Sequence, residues 1–254
     1  GIDLVAMSVN DIAVLGAKPL FFLDYLAVGR LDQQIAEQVL EGIIEACTQV
    51  GCSLLGGETA EMPGMYSSES YDLAGFAVGI VEKSDIVDGS KIEEGDVVLG
   101  IASSGLHANG FSLLRSVCDD LDYRNEYGLG RPLIDIALEP TRLYSRECLL
   151  LNQGKRVQGL VHVTGGGVTQ NIPRILPDGL AVSIHKDAIP LSPIFHFLKD
   201  RGNLSWEELT STFNCGIGLV VIVPSNHVAE IKAELEIVEL GTVISSVEKK
   251  IHWR

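Results

Sequence analysis

Apolar positions along this chain recur with two spacings, one typical of helices and one typical of strands. Helical spacing, or an apolar run of helical length, predicts helices at residues 2–17, 32–50, 111–121, 141–152 and 227–235, with shorter helical segments after residue 167 and near Phe195 and Glu207. Shorter apolar runs predict strands at residues 20–28, 53–55, 73–81, 97–102, 159–163, 181–184, 217–223 and 237–247. Because helices and strands are mixed throughout, the pattern predicts a mixed α/β chain of the α+β class.

The polar stretch 84–95 separates two such series and is the predicted domain boundary. We therefore expect an N-terminal domain at residues 1–87 and a C-terminal, α/β sandwich-like domain at residues 88–254. The three strands predicted for the first domain are too few to close a sheet, and they carry apolar residues at successive positions. Such a sheet leaves an apolar face uncovered, which predicts that two copies pair through it as a homodimer.

Composition narrows the class of protein. The 254 residues are 46% hydrophobic and 21% charged, which is typical of a folded globular chain. The longest apolar runs have the length of strands, so no membrane span is expected. The net charge of −15 would repel a phosphate backbone, which argues against a nucleic-acid partner. A phosphorylated small molecule is still possible as a ligand, because backbone N–H groups and metal ions can hold an anion.

The five cysteines are an odd number and contain no C-x-x-C pair. This distribution favours buried thiols in a reducing compartment over a zinc site or a set of disulfides. No signal peptide opens the sequence. We therefore expect a cytoplasmic protein.

Two groups of carboxylates in the first domain are candidates for metal binding. Asp11 interrupts an otherwise apolar helix, where it serves either as a hydrogen-bonded structural carboxylate or as a ligand of Mg²⁺. Glu58 and Glu61 follow a strand and the predicted turn at Gly56-Gly57, where the glycines would let the backbone approach a ligand. The alternative for both glutamates is a solvated loop.

Two small-residue loops in the second domain each join a predicted strand to a predicted helix, at residues 103–110 and 164–167. In this arrangement free backbone N–H groups and the helix dipole can hold a phosphate, although ordinary glycine turns have the same composition. Neither loop matches the usual nucleotide-binding patterns. His107 and His162 lie at these loops and are candidate acid–base groups, although such a histidine is more often a hydrogen-bonding residue.

These pieces, taken in order, resemble the aminoimidazole ribonucleotide synthetase family. The most specific likeness is the run 56–66, which begins Gly56-Gly57-Glu58-Thr59-Ala60. The other segments that carry the resemblance are residues 1–11, 21–25, 103–110, 162–167, 171–174 and 213–216. The likeness therefore extends over nearly the whole chain.

The resemblance implies an ATP-dependent ligase of purine biosynthesis. ATP would phosphorylate the formyl oxygen of formylglycinamidine ribonucleotide, and ring closure would then give aminoimidazole ribonucleotide, ADP and phosphate. The expected cofactors are ATP and Mg²⁺. The expected partners are the ribonucleotide and a second copy of the chain.

The resemblance also implies roles for individual residues. It assigns catalysis to Asp11, Glu58, His107 and Asn109, and metal binding to Asp11 and Glu58. The nucleotide-binding residues would be Asp11, Asp24, Gly56, Gly57, Glu58 and Asn109. The substrate phosphate would lie at Thr164, Gly165, Gly166 and Gly167.

One feature of the family is missing from this sequence. The family has an Asp-Gly-Val-Gly-Thr-Lys loop that contacts ATP, and it precedes the part that resembles this chain. Since Gly1 already has the character of a helix interior, we expect that a preceding segment is absent. The alternatives are therefore an inactive truncated fragment or a relative in the same ATP-using superfamily, namely selenophosphate synthetase, thiamine monophosphate kinase or formylglycinamidine ribonucleotide synthetase.

Overall fold

The computed structural model describes residues 1–248 and 250–254. Its contacts divide the chain into two compact units. The first unit contains Gly1–Ile86 together with Leu143–Leu149, and the second contains Val87–Arg142 and Leu150–Arg254. The division after Ile86 lies inside the polar stretch that the sequence analysis selected. Within the described residues, no helix is both long enough and apolar enough to cross a membrane.

Up to residue 86, the first unit contains two α-helices and a three-stranded sheet among its described residues. They are α1 (Ile2–Ala13), β1 (Lys18–Val28), α2 (Gln33–Val50), β2 (Ser53–Glu61) and β3 (Tyr71–Ile80). The strand order is β2-β1-β3, so β1 is central. It pairs in parallel with β2 and antiparallel with β3.

Local sequence fixes both ends of α2. The Asp32 carboxylate accepts hydrogen bonds from the backbone N–H groups of Gln34 and Ile35, at 2.9 and 3.2 Å. At the other end Gly51 adopts a left-handed conformation, and the N–H of Cys52 donates to the carbonyl oxygen of Cys47 at 2.8 Å. This arrangement ends the helix as a Schellman motif, in which glycine carries the positive φ without strain.

The two faces of this sheet have different surroundings. Phe22 is fully buried in a core that includes Val5 of α1 and Ile43 of α2. The opposite face carries exposed Phe76 and its partner across the strands, Leu23. Because side chains alternate along a strand, a single layer of helices can cover only one of the two faces. The apolar face that the sequence predicted is therefore present and solvent-exposed in this chain.

A buried asparagine attaches a distant segment to the first unit. Asn10 lies on α1, and its Oδ1 accepts a hydrogen bond from the backbone N–H of Tyr144 at 2.8 Å. Both residues are fully buried. A backbone N–H in such a place needs a partner, which Asn10 supplies. This explains why Leu143–Leu149 belongs to the first unit although the surrounding sequence belongs to the second.

The second unit is built on a six-stranded sheet with helices around it. Its strands are β4 (Val97–Ala102), β5 (Gly159–His162), β6 (Leu180–Ile184), β7 (Ile217–Val223), β8 (Val238–Ser245) and β9 (Ile251–Trp253). The helices from residue 87 onward are α3 (Phe111–Val117), α4 (Leu133–Ala137), α5 (Ser145–Asn152), which crosses the division after Leu149, α6 (Gly167–Asn171), α7 (Pro193–Arg201), α8 (Trp206–Thr212) and α9 (Val228–Glu234).

The strand order of this sheet is β5-β7-β4-β8-β6-β9, and every neighbouring pair is antiparallel except β6 with β9. Strand β7, the second in this order, is buried along its whole length. The two units together confirm the predicted two-domain, mixed α+β fold.

The structure differs from the predicted local structure in several places. Residues 56–61 continue strand β2, because β1 offers hydrogen-bonding partners as far as Glu61, so Gly56-Gly57 is not a turn. Helix α1 ends at Ala13, four residues earlier than the apolar run suggested. The short elements α4 and β9 were not predicted, since runs of five and three residues carry little periodicity.

Candidate functional site

The loop that follows β4 is held by one buried side chain, Asn214. Its Nδ2 donates hydrogen bonds to the carbonyl oxygens of Gly105 and Leu106, at 2.9 and 3.2 Å. Its Oδ1 accepts from the backbone N–H of Gly216 at 2.8 Å and lies 3.0 Å from the hydroxyl of Ser103. The amide therefore joins the loop at residues 103–110 to the start of β7, and its own polar atoms are satisfied.

His107 lies inside this loop and is only 2% exposed. Its Nε2 accepts a hydrogen bond from the backbone N–H of Ser104 at 3.2 Å, which requires a neutral ring with Nε2 unprotonated. Burial, with smaller contributions from the nearby His162 and Arg142, lowers the pKa of His107 to about 3. The ring is thus neutral at physiological pH and suited to accepting a hydrogen bond rather than giving up a proton as an acid.

The second glycine loop has a similar support. Nδ2 of Asn171 lies 2.8 Å from the carbonyl oxygen of Gly167, 3.3 Å from that of Gly165 and 3.4 Å from that of Thr164. The hydroxyl of Thr164 in turn donates to Oδ1 of Asn171 at 3.3 Å. Three loop carbonyls therefore turn toward one buried amide. Such an arrangement fixes the loop conformation before any ligand binds.

The structure brings the two loops into contact. A Cβ added to Gly165 would lie 3.3 Å from Oδ1 of Asn109. Gly167 has no such space, because a Cβ there would collide with the carbonyl oxygen of Thr210. Asn109 and Thr164–Gly167, which the sequence analysis assigned to different ligands, are thus neighbours in the second unit.

In the first unit, Asp24 and Gly57 are brought together by strand pairing. They are partners in the parallel register of β1 and β2, and a Cβ on Gly57 would collide with the backbone and the carboxylate of Asp24. Burial raises the pKa of Asp24, so its neutral form is favoured relative to an exposed aspartate. Glycine is therefore required at position 57, because strands β1 and β2 approach each other too closely there for a side chain.

The remaining acidic candidates of the first unit are exposed. Glu58 lies in β2 directly opposite Tyr25, one position beyond the Asp24–Gly57 pair and therefore on the other face of the sheet. Asp11 lies on an exposed position of α1. Because Asp11 is exposed, its carboxylate keeps its contact with water. The cost of burying a charge, which favoured the interpretation as a hydrogen-bonded structural carboxylate, therefore does not arise.

The described residues contain no group of three or more histidine, cysteine, aspartate or glutamate side chains arranged to hold a metal ion. A site built entirely from protein ligands is therefore absent from this part of the molecule. Mg²⁺ commonly uses one or two carboxylates and completes its coordination with phosphate oxygens and water. The exposed carboxylates of Asp11 and Glu58 fit that kind of binding.

Sequence reasoning missed the roles of Asn171, Asn214 and Arg142. Arg142 donates to the carbonyl oxygen of Ala102 at 3.2 Å and contributes to the lowered pKa of His107. For Asn214 a signal was available, because it is the one amide in the stretch that leads into the fully apolar strand β7. Its partners in the loop at residues 103–110 are more than 100 positions away in sequence, so the sequence alone could not identify them.

Models of two related families cover most of the chain. Residues 1–81 match "AIR synthase related protein, N-terminal domain", and residues 93–254 match "AIR synthase related protein, C-terminal domain". The phosphoribosylformylglycinamidine cyclo-ligase of Methylobacillus flagellatus is 53% identical over 237 residues, which cover 92% of this chain and 68% of that protein. The protein of the same name from Aromatoleum aromaticum is 52% identical, and the match covers 98% of this chain and 74% of the relative.

Solved structures with the same fold have much lower sequence identity. Escherichia coli HypE, a hydrogenase maturation protein, has a TM-score of 0.76 at 18% identity, and the match covers 100% of this chain and 76% of HypE. The thiamine-monophosphate kinase of Stenotrophomonas maltophilia K279a has a TM-score of 0.73 at 17% identity, covering 99% and 78%. A HypE structure determined in complex with ATP has a TM-score of 0.77 at 18% identity, covering 99% and 75%. These likenesses concern the fold alone.

The lowered pKa of His107 predicts a specific pH dependence of stability. An unfolded histidine has a pKa near 6.5, so below that pH the unfolded chain binds a proton that folded His107 does not bind until about pH 3. Stability should therefore fall as the pH falls from about 6.5 toward 3, by about 2 kcal/mol between pH 7.5 and pH 5. The His107→Asn variant should lack this component in urea unfolding at the two pH values.

Asparagine suits this test because it tolerates the left-handed conformation of His107, whose φ is 58°. His196→Asn, at an exposed position of α7, is the matched control. An identical loss of stability on acidification in His107→Asn and in the unaltered protein would contradict the prediction.

Proposed function

The chain belongs to the AIR synthase related family, and we propose that it is an ATP-dependent cyclo-ligase that converts formylglycinamidine ribonucleotide to aminoimidazole ribonucleotide. The observation that carries the proposal is the 53% identity to a curated cyclo-ligase over 92% of this chain. Identity at this level over both domains supports a ligase enzyme, whereas the likeness to a kinase at 17% identity does not extend beyond the fold.

The reaction has two chemical requirements. Phosphorylation of the formyl oxygen converts a poor leaving group into phosphate, and attack by the amidine nitrogen then closes the ring with loss of that phosphate. The protein must orient both ligands and stabilise the charge of the transferred phosphoryl group. Catalysis of this kind consists mainly of positioning and electrostatic stabilisation.

We assign ATP to the first unit. Asp11, on the helix that covers one face of the sheet, and Glu58, on the open face, are each assigned to Mg²⁺, which would neutralise part of the negative charge on the nucleotide phosphates. Asp24, Gly56 and Gly57 are assigned to the nucleotide as well. The buried Asp24 would fix the backbone of the β1–β2 pair from behind, since Gly57 lies against it.

We assign the phosphate of the ribonucleotide to the loop Thr164–Gly167. With a net charge of −15 the protein does not attract an anion at long range. Hydrogen-bond donors in direct contact must therefore bind the phosphate. Asn171 holds three carbonyl oxygens of this loop and the N–H of Gly167 donates to Thr164, so the backbone N–H groups of Gly165 and Gly166 are the proposed donors. Asn109 would contact the nucleotide and the reacting groups, and neutral His107 would hold the loop of Asn109 in place through Ser104.

Two further properties belong to the proposal. The exposed apolar face of the first sheet supports a homodimer that buries this face on both copies. All five cysteines are free and buried, which supports a reducing compartment such as the cytoplasm.

The proposal is tested by incubating the purified protein with formylglycinamidine ribonucleotide, ATP and Mg²⁺. We expect one ADP and one phosphate for each aminoimidazole ribonucleotide formed, measured by chromatography. Asp11→Asn should release no ADP while its Tm stays close to that of the unaltered protein. Turnover with thiamine monophosphate or selenide in place of the ribonucleotide would favour a superfamily relative, and full activity of Asp11→Asn would exclude its metal role.

The assignment of the substrate phosphate predicts a selective effect of Gly165→Ala. The added methyl group meets only Asn109, so the fold should tolerate it, but it would obstruct a phosphate at the loop. We expect KM for the ribonucleotide to rise about tenfold, equivalent to about 1.4 kcal/mol, with little change in KM for ATP. Gly105→Ala, whose methyl group would make an ordinary contact at 3.5 Å with Glu139, is the control. Equal changes in both KM values would refute the assignment.

The proposed homodimer predicts that a charge on the open sheet face separates the copies. Phe76 is 63% exposed in the single chain and would be buried in the dimer. Phe76→Asp should sediment as a species of about 27 kDa at micromolar concentration, because burying an unpaired carboxylate is costly. Leu138→Asp, at a 66% exposed position of the second unit, should remain dimeric. A monomeric unaltered protein would disprove the model of pairing through this face.

A further inference from the structure

One short segment of the second unit supports both loops of the candidate site. Residues 213–216, here called the support segment, connect the end of α8 to the start of β7. Gly110 ends the first loop, and a Cβ added to it would collide with the aromatic ring of Phe213. Gly167 ends the second loop, and a Cβ added there would collide with the carbonyl oxygen of Phe213. Both loops therefore pack on the same residue, each through a glycine that allows the close approach.

Asn214 attaches the first loop to the support segment. Its Nδ2 donates to the carbonyl oxygens of Gly105 and Leu106, and the backbone N–H of Ser103 donates to the carbonyl oxygen of Gly216 at 2.9 Å. Asn214 is only 3% exposed, so water has little access to replace its amide as a donor. A carboxylate of the same shape could not donate to either carbonyl oxygen. The conformation of the loop therefore depends on an amide at position 214.

Two residues beside these contacts have a backbone conformation that is rare outside glycine. His107 has a φ of 58° and Cys215 has a φ of 53°, and both are buried. Such a conformation is unfavourable and persists only where surrounding contacts impose it. Nδ2 of Asn214 bonds to the carbonyl oxygen of Leu106, directly before His107. Its Oδ1 accepts a hydrogen bond from the N–H of Gly216, directly after Cys215. One side chain thus fixes the backbone next to both residues.

We infer that Asn214 is a positioning residue, which holds the loop 103–110 so that Asn109 faces the substrate-phosphate loop 164–167. The inference rests on the proposed function, in which Asn109 contacts the reacting groups. Asn109 lies two positions after His107, and its Oδ1 is 3.3 Å from the place that a Cβ on Gly165 would occupy. Asn171 holds the carbonyl oxygens of the loop 164–167 in the same way. The two buried amides thus hold the two sides of one contact.

This division predicts different kinetic effects for two matched substitutions. Asn214→Asp and Asn171→Asp each keep the shape of the side chain and remove its hydrogen-bond donors. Asn214→Asp should lower kcat about a hundredfold, because it displaces Asn109 from the reacting groups, and should change KM for the ribonucleotide by less than about threefold. Asn171→Asp should raise KM for the ribonucleotide about tenfold, with a smaller effect on kcat. Asn214→Ser, which has no carboxylate to repel the loop carbonyl groups, repeats the first test without a buried charge.

Arg156→Gln is the control for a loss of stability alone. The guanidinium of Arg156 bonds to Glu230 and Glu234 of α9 at 3.0 and 2.9 Å, and the residue is 7% exposed. Arg156 lies three positions before β5, at the opposite end of that strand from the loop 164–167. We expect Arg156→Gln to lower the Tm, as the asparagine variants do, and to leave kcat and both KM values unchanged below the unfolding transition.

Amide hydrogen exchange supplies a measurement that needs no turnover. Exchange at residues 105–109 should become about tenfold faster or more in Asn214→Ser and should stay unchanged in Arg156→Gln. Equal kcat values in the Asn214 variants and in Arg156→Gln would overturn the inference while the proposed reaction stands. If the unaltered protein does not close the ring, the proposed reaction fails, and the exchange rates alone decide the positioning role. Unchanged exchange in Asn214→Ser would then refute that role, and selectively faster exchange would support it.

Discussion

The candidate site of the second unit depends on the hydrogen bonds that two buried asparagine amides make to loop carbonyl groups. A carbonyl oxygen that is removed from water needs a hydrogen-bond donor in place of water. An irregular loop lacks the repeating backbone hydrogen bonds of a helix or a strand, so a side chain must supply that donor. Nδ2 of Asn171 and Nδ2 of Asn214 are those donors, and their shorter hydrogen bonds to the loop carbonyl oxygens measure 2.8 to 3.2 Å. The two amides thereby hold both loops in one conformation.

The same lack of water in the buried loop explains why His107 is neutral. His107 receives a hydrogen bond from Ser104 on Nε2, and it lies close to His162 and Arg142 in a buried position. A second positive charge there would be neither solvated nor balanced, so the ring stays neutral. The resemblance assigned His107 to catalysis, and the structure shows in addition that its ring accepts a hydrogen bond from the loop backbone.

The two faces of the three-stranded sheet in the first unit carry different kinds of residues. The buried face packs Phe22 against the helices and brings Asp24 onto Gly57. The open face carries Glu58 together with exposed apolar side chains such as Phe76. One face therefore contributes to stability through its buried core, and the other leaves large apolar side chains in contact with solvent.

The sequence by itself determined the mixed fold, most helices and strands, and the motifs that led to the family. These follow from periodicity, capping and glycine placement, which act between residues close in the chain. Only the tertiary structure decided that Gly56 and Gly57 continue a strand, because the partner strand β1 supplies their hydrogen bonds. It also decided that Asn214 braces a loop more than 100 residues earlier and that Gly165 lies against Asn109. Such contacts depend on how distant segments pack, and no local pattern of residues encodes them.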